Sequence, residues 1–177
     1  LASIREQPDV AKAAFSDAIR LSLAVGKLDV LMDAYLDLSE TYTNRGDAPA
    51  ALAELEEGLL MVSGGAGTTD SKAPKNFWRL LLALAERLAA DGQVSRAVRT
   101  TRDALMHAER EESSHGRALA HRRLGMLGHA NGDQHTAEQN LSTAITLFKR
   151  LGDRKAMAEC LLIQAQHRPG AEDTLIG

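Results

Sequence analysis

His121-Arg122-Arg123-Leu124-Gly125-Met126-Leu127-Gly128-His129-Ala130-Asn131-Gly132-Asp133-Gln134-His135-Thr136-Ala137-Glu138-Gln139-Asn140-Leu141-Ser142-Thr143-Ala144-Ile145 is the stretch on which the fold turns. Leu124, Gly125 and Gly128 fall three and four apart, the spacing that collects residues on one buried face of a helix. Gly132 follows, a residue able to stop a helix in the left-handed conformation without a Cβ clash. Asp133 then offers a carboxylate to the free N–H groups of a second helix. Ala137, Leu141, Ala144 and Ile145 resume the stripe, and the small Ala137 lets two helix backbones approach closely.

The same pattern occurs twice more in register. Tyr35, Leu38, Tyr42, Gly46 and Asp47 precede Ala51, Leu55, Gly58 and Leu59; Leu81, Leu84, Leu88, Gly92 and Gln93 precede Ala97, Thr101, Ala104 and Leu105. Internal repetition at this scale marks arrays of stacked helical hairpins. The ends continue it: Ala11, Phe15, Ala18 and Ile19 read as a second helix, and Ala158, Leu161 and Leu162 as part of a first one.

These motifs resemble the tetratricopeptide repeat, in which a large residue, Leu-Gly and Tyr on one helix precede a Gly turn and Ala, Phe and Ala on the next. The third unit matches it best, through Leu124-Gly125, Gly132-Asp133, Ala137 and Ala144. The first has Tyr42 at the aromatic position with Ser39 for the small Gly, and the second has Thr101 where a large apolar residue is usual. No unit keeps the Pro that often closes the motif. The resemblance covers roughly residues 8–168. The turn glycines lie 46 and 40 residues apart, against about 34 in the usual repeat, and such long units resemble arrays in bacterial signalling and regulatory proteins.

The expected architecture is all-α: a right-handed superhelix of antiparallel pairs, with helices over 8–25, 28–45, 47–62, 75–91, 93–111, 114–131, 133–151 and 153–167. It forms one array over 1–168, with full units 28–62, 75–111 and 114–151 and partial units 8–26 and 153–167. Residues 63–74, rich in Gly and Ser, read as a flexible loop, and 169–177 as a loose tail. An array that starts and stops in mid-repeat without an initiating Met reads as an excerpt of something longer.

Composition agrees. Hydrophobic residues make up 44% and aromatics only 3%, so Ala and Leu carry the apolar content, as suits helices rather than strands. A net charge of −3 argues against direct nucleic-acid binding. Residues 1–91 hold 9 Lys/Arg against 14 Asp/Glu, and residues 92–177 hold 12 against 10. The lone Cys160 excludes an internal disulfide, pointing to a reducing, cytoplasmic setting. No apolar run reaches the roughly 18–20 residues of a membrane span.

Candidate chemistry is sparse, and neither enzyme activity, metal nor cofactor is expected. The Gly-rich loop lacks the Gly-Lys-Ser/Thr ending and preceding strand of a phosphate-binding loop. His121 and His129 share a helix face, but Gly125 between them cannot ligate a metal. Cys160 sits in an apolar stripe without a cationic neighbour to activate it.

The resemblance implies a concave groove lined by positions two, five, nine and twelve of each first helix. These are Asp33, Leu36, Glu40 and Thr43; Arg79, Leu82, Glu86 and Ala89; Leu119, Arg122, Met126 and His129; and, in the partial unit, Ala158, Leu161 and Ala165. The family's chaperone-tail adaptors place Lys and Asn at positions five and nine to clamp a carboxylate, a pattern that Leu36, Glu40, Leu82 and Glu86 contradict. A groove with apolar residues flanked by charge suits an amphipathic helix, extended peptide or neighbouring domain. The expected function is a protein-interaction scaffold, with homodimerisation through exposed terminal helices, or small-ligand sensing in a transcriptional regulator, as alternatives.

Overall fold

The structure is a computed structural model that describes residues 8–64 and 73–167, with side-chain surroundings from residue 13 onward. The expected tail, 169–177, and most of the expected loop, 65–72, lie outside the described residues. Eight helices and no strand occur among those described: α1 (Pro8–Val25), α2 (Leu28–Asn44), α3 (Ala48–Val62), α4 (Trp78–Ala90), α5 (Val94–Arg110), α6 (Ser114–Ala130), α7 (Gln134–Leu151) and α8 (Arg154–Gln166). Each helix packs on the next in sequence, and α4 also touches α2 and α6. The first helices of the units therefore stand side by side.

One turn design repeats along the chain. At the end of α2, Gly46 donates to the Thr43 carbonyl and Asp47 to that of Tyr42, at 2.9 and 3.0 Å. This pair of bonds ties off the carbonyls that a helix end leaves unsatisfied. The Asp47 side chain then accepts from the Ala50 N–H, so one residue closes α2 and caps α3. Asp133 repeats this for α6 and α7 by accepting from Thr136. The α1–α2, α5–α6 and α7–α8 turns use the same bonds, and Ser113 and Asp153 supply the caps of α6 and α8. The residue that must turn left-handed is a glycine in most of them, but Glu112 (φ 54°) between α5 and α6.

The expected helix over 75–91 starts later, at Trp78. Asn76 adopts a left-handed conformation, φ 61°, and donates its N–H to a Glu111 carboxylate oxygen at 2.8 Å. Asn tolerates that conformation better than most residues, so residues 75–77 form a turn pinned to the end of α5. Every other helix end matches expectation or differs from it by one residue.

The core runs in two parts. The larger joins α2 to α5 around Leu31, Tyr35, Leu55, Leu80, Leu81, Leu84 and Leu88. The smaller sits among α6, α7 and α8, around Leu141, Leu147, Phe148 and Cys160. Cys160 is fully buried, and burial pushes its thiol upward in pKa. Thr101, the odd residue of the second unit, is buried too, and its hydroxyl donates to the Ala97 carbonyl at 2.7 Å. That internal bond lets a polar group stand where an apolar one is usual.

Candidate functional site

Side-by-side first helices leave a groove between their outward faces. Between α2 and α4 it deepens into a hollow of about 390 Å³ with Leu36, Leu55 and Ala83 among its walls and Asp37, Glu40 and Glu86 at its charged rim. Between α4 and α6 a second hollow of about 230 Å³ is lined by Leu82, Ala83, Glu86, Leu119, Arg122 and Arg123. Ala83 and Glu86 line both, so the two adjoin along α4.

The structure brings most of the expected residues together here. Leu36, Glu40, Thr43, Arg79 and Glu86 line the first hollow, and Leu82, Glu86, Leu119 and Arg122 the second. Leu36, Leu82 and Leu119 also pack on the main core, so each is both a core neighbour and a groove wall. Asp33 lies at the edge, holding Arg79 at 2.8 Å. Met126 is exposed on α6.

His129 and Ala89 line neither hollow. The His129 ring stacks on His167 beyond the end of α8, centroids 4.0 Å apart, and its Nδ1 meets the Gln134 Oε1 at 3.0 Å. Gln134 uses its amide N–H groups on Glu138 and on the His167 carbonyl. Its oxygen is thus the acceptor, so His129 Nδ1 carries the proton. The buried Nε2 has no partner. Burial, and then the neighbouring His167, lower the His129 pKa. This residue fastens α8 to α6 and α7.

Ion pairs that the motif spacing did not reveal organise the groove's charge. Arg87 bonds Glu86 at 2.7 Å and Thr43 across on α2 at 3.2 Å. Arg123 reaches from α6 to the other oxygen of Glu86, and burial pushes its guanidinium below the usual value while Glu86 opposes that shift. Arg122 pairs with Glu159 on α8 at 2.6 Å. Asp37 and Glu40 have no ion pair among the described residues, and burial, with the like charges of Asp33 and Glu40, raises the Asp37 carboxyl against the pull of Arg79. Asp37, Arg87 and Arg123 flank positions five and nine, so widening the position rule by one residue would have found them.

A further hollow of about 500 Å³ lies among α1, α2 and α3, with Ile19, Leu23, Tyr35, Leu38, Glu54 and Glu57 in its lining. Burial, and then Glu57 and Glu54, push the Tyr35 hydroxyl up to about 12. Among the described residues no three His, Cys, Asp or Glu side chains are placed to hold a metal. No described helix is long and apolar enough to cross a membrane.

Paired helices, a shared turn design and a groove along the first helices define a TPR-like helical repeat superhelix. Solved structures agree. BtubC (BKLC) from P. vanneervenii superposes with a TM-score of 0.75 at 17% identity, over 91% of this chain and 64% of that one. The TPR-like repeats of a kinesin light chain from Podosopora anserina give 0.61 at 15% identity, over 93% and 84%. MamA gives 0.50 at 17%, over 88% and 89%. Identities this low convey a likeness of fold, and this chain spans less than two thirds of BtubC. No family model and no curated protein matches the sequence.

Proposed function

We propose that the chain is a non-catalytic interaction scaffold that captures a peptide, a helix or a neighbouring domain along the groove formed by α2, α4 and α6. The observation that supports this reading is the pair of adjoining hollows that share Ala83 and Glu86. A segment of several residues can lie across both, setting apolar side chains on Leu36, Leu82 and Leu119 while rim charges fix its register. Since the ion pairs across the groove already hold the first helices in place, little ordering remains for binding to supply. We place the module in the cytoplasm, within a larger bacterial signalling or regulatory protein. A single, unpaired cysteine and the long repeats support that setting.

Ala83→Gln adds bulk where the two hollows adjoin and replaces no member of an ion pair. A partner recovered from source-cell lysate by the wild type, identified by mass spectrometry, is expected to be lost with this variant while its helical circular dichroism is unchanged. Equal recovery by both proteins would overturn the groove reading.

A second reading, self-association through an end helix, rests on α1. Leu21 there is 59% exposed, against 38% for Met61, 4% for His107 and 7% for Leu147 at the same place in the three full units. Val25, one turn on, is also exposed. A mass by light scattering that rises with concentration, and falls to the monomer with Leu21→Glu/Val25→Glu, would support it; a constant monomer mass would remove it.

A further inference from the structure

The two hollows differ in what they leave unsatisfied. In the one between α2 and α4, both arginines are engaged, Arg79 by Asp33 and Arg87 by Glu86 and Thr43. Glu86 is held twice over, by Arg87 and Arg123. Asp37 and Glu40, one turn apart on α2, have no cation bonded to them among the described residues. The walls between them, Leu36, Leu55 and Ala83, are apolar. A negative rim above an apolar wall complements one kind of side chain, a long aliphatic stem that ends in a cation.

The hollow between α4 and α6 has the opposite balance. Its two arginines are both paired, Arg122 with Glu159 and Arg123 with Glu86. What it offers a partner is the apolar surface of Leu82, Leu119 and Ala83. An incoming carboxylate would have to displace an existing carboxylate from an arginine, whereas an apolar side chain displaces only water.

We propose that the groove's occupant is a segment carrying a Lys or Arg that enters the α2–α4 hollow toward Asp37 and Glu40, with an apolar side chain of the same segment in the α4–α6 hollow. This rests on the groove being the binding surface, and it adds the chemistry of the partner: a basic and apolar peptide or helix, and not an acidic one. The cation brings the charge that the pairing within the groove leaves out, which favours encounter and fixes register. Acidic segments are disfavoured in the α2–α4 hollow, because Asp37 and Glu40 repel them.

Selection of phage-displayed random 12-residue peptides on the immobilised protein tests this, with fluorescence anisotropy on the peptides that emerge. The expected result is enrichment of Lys or Arg together with an apolar residue. Asp37→Asn/Glu40→Gln, which removes charge and keeps shape, is expected to weaken a selected peptide about tenfold, as is Leu82→Ala/Leu119→Ala. Melting curves establish that both variants are folded. Binders that depend on Leu82 and Leu119 but lack basic residues, or ignore Asp37→Asn/Glu40→Gln, would overturn the basic partner and leave the groove standing. No binders, or binders indifferent to both variants, would overturn the groove and this inference together.

Discussion

The pairs α2/α3 and α6/α7 both bring two helices into close contact, and they put the missing side chain on opposite partners. In α2/α3 the bulk is on the first helix and the gap on the second: a Cβ built on Gly58 would lie 2.7 Å from Tyr35 Cγ. In α6/α7 the gap is on the first helix. A Cβ on Gly125 would lie 2.5 Å from Leu141 Cγ, and one on Gly128 2.9 Å from the Ala137 backbone nitrogen. A repeat therefore does not need a fixed residue at each place, only a matched large and small pair across the crossing. That freedom is a physical reason why chains only 15–17% identical can share the fold.

The difference between side-chain and backbone obstacles ranks the consequences. Gly128→Ala drives a methyl into backbone of α7, which no rotamer change can relieve. Even after the roughly 1 kcal/mol that Ala gains over Gly inside a helix, a net loss of about 2–3 kcal/mol is expected, read as a lower urea midpoint. An unchanged midpoint would mean that α6 and α7 do not approach this closely.

Gly58→Ala meets a side chain, but at its root, so a smaller net loss of about 1–2 kcal/mol is expected. Combining it with Tyr35→Leu should cost about 1 kcal/mol less than the two single losses added. Strict additivity would show that Gly58 is not the seat of the Tyr35 ring.

A third change acts on the turn that leads into α6, where Glu112 holds the left-handed conformation. The same place in the turns before α2 and α8 is Gly26 or Gly152. Glu112→Gly should raise stability by about 0.5–1 kcal/mol, relieving backbone strain at some entropic cost. A loss instead would show that the side chain contributes more than its backbone strain costs.

The smallest effect concerns the twelfth position of the first helix, Thr43 in one pair and His129 in the other. The Thr43 hydroxyl is bonded to Ser39 and Arg87 and does not titrate in the ordinary range. His129 has a folded pKa below its unfolded value of 6.5, so the unfolded chain binds the proton first. The stability from the neutral ring is fully present above pH 6.5 and is lost as pH falls from there through the folded pKa. Wild type should thus lose melting temperature relative to His129→Gln just below pH 6.5, with hydrogen exchange quickening in α8. Parallel melting curves would contradict the clasp.

Helices, turns and caps were legible because they depend on residues close in sequence. A period of three and four, Gly46, Gly92 and Gly132 in the left-handed turn, and Asp47 and Asp133 at the caps are all local signals. The groove residues were legible by position, through the resemblance. Their pairing was not. Arg79 with Asp33, Arg123 with Glu86 and Arg122 with Glu159 are 37–46 residues apart, and which arginine meets which carboxylate depends on how the first helices stack. Nor did spacing foretell Asn76, whose left-handed turn delayed α4, or His129, which turned from the groove to His167.

The groove itself is tested most directly by amide chemical-shift mapping of the isotopically labelled chain, titrated with a peptide selected on it. Shifts are expected on the outward faces of α2, α4 and α6, centred on Leu36, Ala83, Glu86 and Leu119, with α3, α5 and α7 little changed. Shifts concentrated on α3, α5 and α7, or at α1 and α8 alone, would contradict it.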